Sequence, residues 1–361
     1  MIRPRPEVAA TPPAPHGGPP GSAGPRSPVR MDFSVSLNAF GPAPIVLEAI
    51  RAARPDVYPD PDSIAPRRAA SRRWGVPPEE IAFGAGAADL VHALCFAFVR
   101  PGDTALIPRP TFGEYARAVA LCGGRVLQGI APGPAYALDT EEIAAAVVQH
   151  RPRLVFLCAP NNPTGQPFPR EELRRVADAC AAAGTLLVLD QSYDAFLREP
   201  LGTPALPGHP AVLHLRSVTK EHALAGVRAG FATGPEPVVA AVERGRPPWA
   251  VSTVAQAAAV AAFSDAGMAH VAETLPRLRF ERELLEAAFA RLRLPTVRTA
   301  THFLIAAVGD AAALTERLRE EHAIRVRDCA SFGLPGHVRV AARTPPENNA
   351  LVTALEAACS G

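Results

Sequence analysis

The chain carries no charge excess, no metal-ligand pattern and no apolar run long enough to span a membrane. Lys and Arg total 37 against 35 Asp and Glu, a formal charge of +2. Neither nucleic acid nor an acidic surface is indicated as a partner. The six cysteines, Cys95, Cys122, Cys158, Cys180, Cys329 and Cys359, form no CxxC pair. They also form no cysteine–histidine cluster, so no metal site is expected. Several sit in apolar runs, where a free thiol is a small core residue, and this suits a reducing cytoplasm. The N-terminus lacks the apolar centre of a signal peptide, and no membrane role is read. What is present is ample apolar material, 48% of 361 residues. That suffices for one large and one small domain sharing a cleft.

Residues 1–30 are dominated by Pro, Gly, Ala and Arg. They offer little to bury, and disorder is expected there. A segment over 31–50, a large domain over 51–250 and a small domain over 251–361 are expected to follow. In the large domain, apolar strands such as 154–158, 186–190 and 212–217 alternate with helices such as 140–150 and 169–183. This pattern predicts an α/β fold with a mostly parallel sheet covered on both faces. Ligands of such sheets sit at the C-terminal ends of the strands. A helical run over 253–292 then leads to strands near 301–308, 324–327 and 337–341.

The chemistry gathers at Ser217-Val-Thr-Lys-Glu-His-Ala-Leu-Ala-Gly-Val-Arg-Ala-Gly230. A lysine shielded from water becomes a usable amine nucleophile, able to form an imine with an aldehyde. Arg228 suits a phosphate ester, because its planar fork binds oxyanions in pairs, and Ser217 adds a hydroxyl donor. An aldehyde cofactor with a phosphate handle is pyridoxal phosphate; the other reading is an ordinary turn with a solvated lysine. Two further stretches separate these readings. Asp190 ends an apolar strand and is followed by Tyr193, as fits an acid paired with a pyridinium nitrogen. Asn162 lies in the amide-rich turn Ala159-Pro-Asn-Asn-Pro-Thr-Gly165 at the end of another strand. It stands before a proline, which holds its backbone extended, whereas Asn161 only shapes the turn. Farther upstream, Gly86, Ala87 and Ala88 form a glycine turn at a helix start, where free backbone amides make an anion cradle.

The order of amide turn, acid and lysine resembles the fold-type I pyridoxal-phosphate enzymes, the aspartate aminotransferase superfamily. Within it, the chain is most similar to the histidinol-phosphate aminotransferase branch, which also contains threonine-phosphate decarboxylases. The likeness runs from about Met31 to about Ala357. It implies a seven-stranded type of sheet in the large domain and a smaller α/β C-terminal domain. It implies that Phe112 stacks on the cofactor ring and that Asn162 and Tyr193 donate to the ring oxygen. It also implies a homodimer in which Tyr58 reaches the cofactor phosphate of the other subunit. Asp32–Pro42 resembles a segment that closes over substrate, which places Asn38 and Phe40 against it. Residues 326–348 resemble the C-terminal signature of the branch. There Arg339 clamps the substrate carboxylate and Arg327 meets its distal end.

The resemblance implies an aminotransferase that works on an amino acid or amino-alcohol phosphate and a 2-oxo acid through a Lys220 Schiff base. Decarboxylation of a phosphorylated amino acid uses the same parts, and a non-catalytic cofactor-binding partner is the third alternative. Phe40, which lacks a tyrosine hydroxyl, and His302, where relatives often carry Asn, depart from the branch pattern. Gln191 stands where relatives usually have Glu, with no role read for it.

Overall fold

The computed structural model describes residues 2–18, 29–127 and 134–359. In chain order, α1 (Pro6–Ala10), β1 (Met31–Asp32), α2 (Pro44–Ala52) and α3 (Ile64–Trp74) come before the large sheet. The sheet and its helices are β2 (Ile81–Gly84), α4 (Ala87–Phe98), β3 (Thr104–Leu106), α5 (Gly113–Leu121), β4 (Arg125–Leu127), α6 (Thr140–His150), β5 (Leu154–Cys158), α7 (Arg170–Ala183), β6 (Leu186–Asp190), β7 (Val212–Ser217) and β8 (Gly230–Thr233). After α8 (Glu236–Arg244), α9 (Thr253–Ala262) and α10 (Asp265–Arg291) come β9 (Phe303–Ala307), α11 (Ala311–His322), β10 (Ile324–Arg325), β11 (Arg327–Asp328), β12 (His337–Ala341) and α12 (Pro345–Cys359).

The seven large-domain strands lie in the order β2-β8-β7-β6-β5-β3-β4. From β4 to β7 all neighbours are parallel, and β8 is antiparallel to both β7 and β2. This is the mostly parallel, seven-stranded sheet expected for the fold. Every residue of β5 and β7 is buried, because both faces of the sheet are covered. One face packs Leu94, Val119, Phe156 and Val188 together; the other packs Ile143, Val147, Leu157 and Leu173. Register sets Cys158 opposite Asp190 and Asp190 opposite Leu215, so three strands end at one level.

The small domain has an antiparallel sheet, β11-β12-β9, and β1 pairs in parallel with β10. The expected helical run is broken at Phe263–Ser264, where the Ser264 hydroxyl accepts the Gly267 N–H and starts α10. α9, just past the division expected at 250/251, packs on helices and strands that precede it. Ala255, Ala258 and Ala259 of α9 pack with Val46, Ile81 and Phe231 of the large domain. Along α10, Val271, Leu275 and Leu278 pack with Phe303 and Ala341 as well as with Tyr193 and Phe196, and Leu285 and Phe289 pack with Leu304, Val338 and Leu351. Small alanines let α9 lie close against α2, and this outweighs its place in the sequence.

Residues 2–18, part of the stretch expected to be disordered, make contacts with the body of the chain. α1 forms there, the Arg5 guanidinium donates to the Leu121 carbonyl at 3.1 Å, and the Gly18 N–H donates to Ser34 Oγ at 2.9 Å. Composition measures only what a segment can bury by itself. These residues are held by polar partners that the folded body supplies. Residues 19–28 of the same stretch lie outside the described residues.

Candidate active site

A cleft of about 510 Å³ opens beyond the C-terminal ends of β5, β6 and β7, beside the start of α4. Asn162, Asp190, Tyr193, Ser217, Lys220 and Arg228 all line it, with Ala87, Ala88 and Phe112. These residues come from distant stretches of sequence, and parallel strand ends bring them together.

One end of the cleft suits an oxyanion. Gly86 precedes α4 with φ +95°, and no side chain caps the helix. A Cβ on Gly86 would come within 2.7 Å of Arg228 Nη2, so only glycine lets that guanidinium lie against the backbone. Arg228 itself holds a left-handed φ of +63°, an uncommon conformation for a non-glycine residue. Ser217 Oγ and Thr219 Oγ1 lie 2.6 Å apart at the end of β7. Free amides of the helix start, two hydroxyls and one guanidinium make a fitting cradle for a phosphate.

The other polar groups suit a flat heterocycle. Asp190 is buried, and its carboxylate accepts the Ser192 N–H at 2.8 Å and the Tyr115 hydroxyl at 2.6 Å. Burial, then the charge of Asp190, push the Tyr115 phenol well above its ordinary range, so it stays protonated and donates. Tyr115 packs edge-on to Phe112 at 5.4 Å between ring centroids and stacks on Phe156 at 4.9 Å. Besides packing against these rings, Tyr115 holds the acid. Spacing could have suggested it, because Phe112 and Tyr115 stand three residues apart at the start of α5.

Lys220 is half-buried, with Nζ 6.0 Å from the centroid of the Tyr193 ring. It is the only lysine in the chain, a count that marks the residue before any motif is considered. His222 is buried and its imidazole is pushed down to about 3, mainly by burial. It is therefore neutral, and its low proton affinity makes it a weak base. Gln191, also buried, donates to the Gly202 carbonyl at 2.8 Å and accepts the Ala205 N–H at 3.2 Å, so it braces the loop after Tyr193.

Arg339 and Arg327 face each other across β12 and β11 as cross-strand partners. Arg339 is buried; it donates through Nη1 to Asn162 Oδ1 and through Nη2 to the Ser34 carbonyl at 2.6 Å. The bond from Arg339 fixes the Asn162 amide with its oxygen occupied, leaving the NH2 group for the cleft. Arg339 Nε is buried without a partner among the described residues. Burial, then the charge of Arg339, push the Arg327 guanidinium below its ordinary value. Two paired cations with an unspent donor call for an anion between or beside them.

Asn38, Phe40 and Tyr58 are not among the residues that line this cleft. The Asn38 amide donates to the Glu221 carbonyl at 3.0 Å and to Thr274 Oγ1 at 2.7 Å, and its oxygen accepts the Phe40 N–H. Its hydrogen-bonding capacity is spent on pinning the lysine loop, not on facing a substrate. The ring of Phe40 lies under the Arg277 guanidinium at 3.9 Å. Tyr58 is 80% exposed and packs on Trp249 at 4.8 Å, outside this chain's own cleft. Asn161 is spent on the Pro110 carbonyl, Thr111 and Thr164 and shapes the turn, as expected. Gly165 of that turn has φ +68°, and a Cβ there would collide with Thr299. Sequence reasoning missed His16 and Glu114, whose side chains meet at 2.9 Å beside Phe112.

Residues 30–355 match the family described as aminotransferase class I and II. The chain is similar to the histidinol-phosphate aminotransferase of Halorubrum lacusprofundi, at 35% identity over 87% of this chain and 85% of that protein. It is 33% identical to that of Symbiobacterium thermophilum, over 89% and 88% of the two lengths. Its fold is similar to the crystal structure of histidinol-phosphate aminotransferase from Sinorhizobium meliloti in complex with pyridoxal-5'-phosphate. That match has a TM-score of 0.88 at 26% identity and covers 100% of this chain and 98% of the other.

Proposed function

The chain belongs to the class I and II aminotransferases and uses pyridoxal phosphate, and within that family we propose that it moves an amino group between a 2-oxo acid and a small amino compound carrying an anionic distal group. An amino acid with an acidic side chain or an amino-alcohol phosphate meets that description. The observation that carries the reading is the cross-strand pair Arg327–Arg339, set at the cleft that Asn162 and Lys220 line. Like charges placed directly opposite each other are unfavourable unless an anion offsets them.

Pyridoxal phosphate, when bound, supplies an aldehyde for the amino group and a ring that withdraws electrons from the carbon bearing it. Arg228, Ser217 and the amides of Ala87 and Ala88 would hold the phosphate. Phe112 would cover one face of the ring. Asp190, held by Tyr115 and Ser192, keeps a proton on the ring nitrogen. Asn162 and Tyr193 would donate to the ring oxygen. Arg339 takes the substrate carboxylate and sets which bond at the α-carbon stands free to break. Lys220 Nζ would take the proton from the substrate α-carbon and hold it for return. Arg327 reads the distal group. Tyr58, exposed beside Trp249, fits a homodimer in which it completes the other subunit's phosphate site. Free thiols at Cys95, Cys158 and Cys180 support placement in the cytoplasm.

The test incubates purified protein with amino donors, with and without 2-oxoglutarate, and follows keto product and carbon dioxide. Turnover that requires the acceptor is expected. Carbon dioxide released without an acceptor would replace this reading by decarboxylation of a phosphorylated amino acid.

A further inference from the structure

The segment before the family-like sequence touches residues at the margin of the cleft. Residues 11–18, Thr-Pro-Pro-Ala-Pro-His-Gly-Gly, run from α1 to Ser34. Ala14 approaches Gly113 so closely that a Cβ there would touch it at 3.4 Å. The His16 ring lies 5.8 Å from Phe112, the residue expected on the cofactor ring. Arg327 donates from Nη2 to the Pro15 carbonyl at 2.9 Å and from Nη1 towards the His16 carbonyl at 3.5 Å. The strap therefore touches both the aromatic wall and the arginine that reads the distal group.

This strap has no large apolar side chain to bury, so polar contacts must hold it. Its charged anchor is Glu114, at the start of α5, whose Oε1 meets His16 Nε2 at 2.9 Å. The other oxygen of Glu114 meets His92 Nε2 of α4 at 2.9 Å and Arg117 Nη1 at 3.2 Å. Glu114 is buried, which would raise its carboxyl, but His92, His16 and Arg117 together bring it below the ordinary value. It is an ionised post, fixed on its body side by two partners and open on the other only to the strap.

We propose that Glu114 is a positioning residue: through His16 it fastens residues 11–18 as the outer wall of the substrate side-chain pocket and so holds Arg327 in place for the distal anion. The proposal rests on the aminotransferase reading above but concerns a segment that the chemistry itself does not need. Removing the fastening loosens the wall and the aim of Arg327, while Lys220, Asp190 and Arg339 keep their own contacts. The effect falls on binding of one class of substrate.

The experiment compares the full chain with Glu114→Ala, Glu114→Gln, His16→Ala and the Glu114→Ala/His16→Ala double variant. Hydrogen–deuterium exchange over residues 11–18 reads the strap without reference to activity. Steady-state kinetics with L-glutamate, O-phospho-L-serine and L-alanine as donors read the pocket. Faster exchange over 11–18 is expected in both alanine variants. KM for the two anionic donors should rise roughly tenfold, with kcat and the KM for L-alanine changed less than about twofold. The double variant should add nothing to either single one, and Glu114→Gln, which still offers His16 an acceptor, should recover part of the effect. If Glu114→Ala does not fold, His16→Ala carries the test, because that half-exposed side chain lies outside the body. Unchanged exchange and unchanged KM in His16→Ala would overturn the proposal. A parent protein silent with every donor would instead count against the aminotransferase reading, and the exchange arm would still decide the strap.

Discussion

On the large-domain wall of the cleft, Cys158, Asp190 and Ser217 end three adjacent strands, and Asn162 and Lys220 follow within a few residues. On the opposite wall, Arg339 and Arg327 are completed by Ser34 and Pro15, 305 and 312 residues away in sequence. The first wall is placed by backbone register, which a parallel sheet covered on both faces holds firmly. The second is also set on strands in register, but its guanidinium groups are aimed by hydrogen bonds to the other end of the chain and, for Arg327, to Ser331 at 2.6 Å. The wall that faces the cofactor is therefore built into the sheet, whereas the wall that faces the substrate depends on long-range polar contacts. Changes to the first should lower turnover for every substrate; changes to the second should alter binding and choice.

Four substitutions probe that contrast, in order of expected effect. Lys220→Ala should lower turnover by at least about a thousandfold, by loss of the group that moves the proton. Borohydride treatment of the parent should attach cofactor to the one peptide that contains residue 220, since the chain has no other lysine. Attachment elsewhere, or activity retained by the variant, would undo the assignment of this wall. Asp190→Asn should lower kcat by about a hundredfold or more for all donors alike, through lost stabilisation of charge on the ring. A donor-selective effect would blur the contrast between the walls. Arg339→Ala should act mostly on KM, raising it about 10- to 100-fold for substrates with a carboxylate, as fits loss of charge-assisted hydrogen bonds. If kcat alone fell, Arg339 would belong with the catalytic wall. Tyr115→Phe, the mildest, removes one donor from Asp190 and should cost about 1 kcal/mol in stability or cofactor binding, with small changes in turnover. Denaturant unfolding and cofactor titration measure it, and no change in either would remove Tyr115 from the support of the acid.

How much of this was legible in the sequence differs between the walls. Asn162, Asp190 and Ser217 could be named because an apolar run that ends on a polar residue shows where a buried strand meets a cleft. The arginines of β11 and β12 were legible only through resemblance, because an arginine on a strand is usually solvated and nothing local distinguishes these two. Asn38 shows what a reading by segment leaves out. It lies in the segment expected over the substrate, yet its amide is consumed by Glu221 and Thr274. His16 and Glu114 gave no signal, since a proline- and glycine-rich stretch reads as unfolded until a body exists to offer it partners.

Period and punctuation along the chain were enough to specify alternating strands and helices, a mostly parallel sheet and the lysine, acid and amide that stand at its strand ends, and the resemblance added the count of seven strands. Those features depend on local hydrophobic pattern and on register, and both are written in neighbouring residues. Folding in three dimensions alone decided that Tyr115 holds Asp190, that Asn38 pins the lysine loop, that α9 joins the large domain and that residues 2–18 are held against the body. Each of these turns on a contact between segments far apart in sequence, and a hydrogen bond or a packed methyl group has no trace in either segment until the other lies within reach.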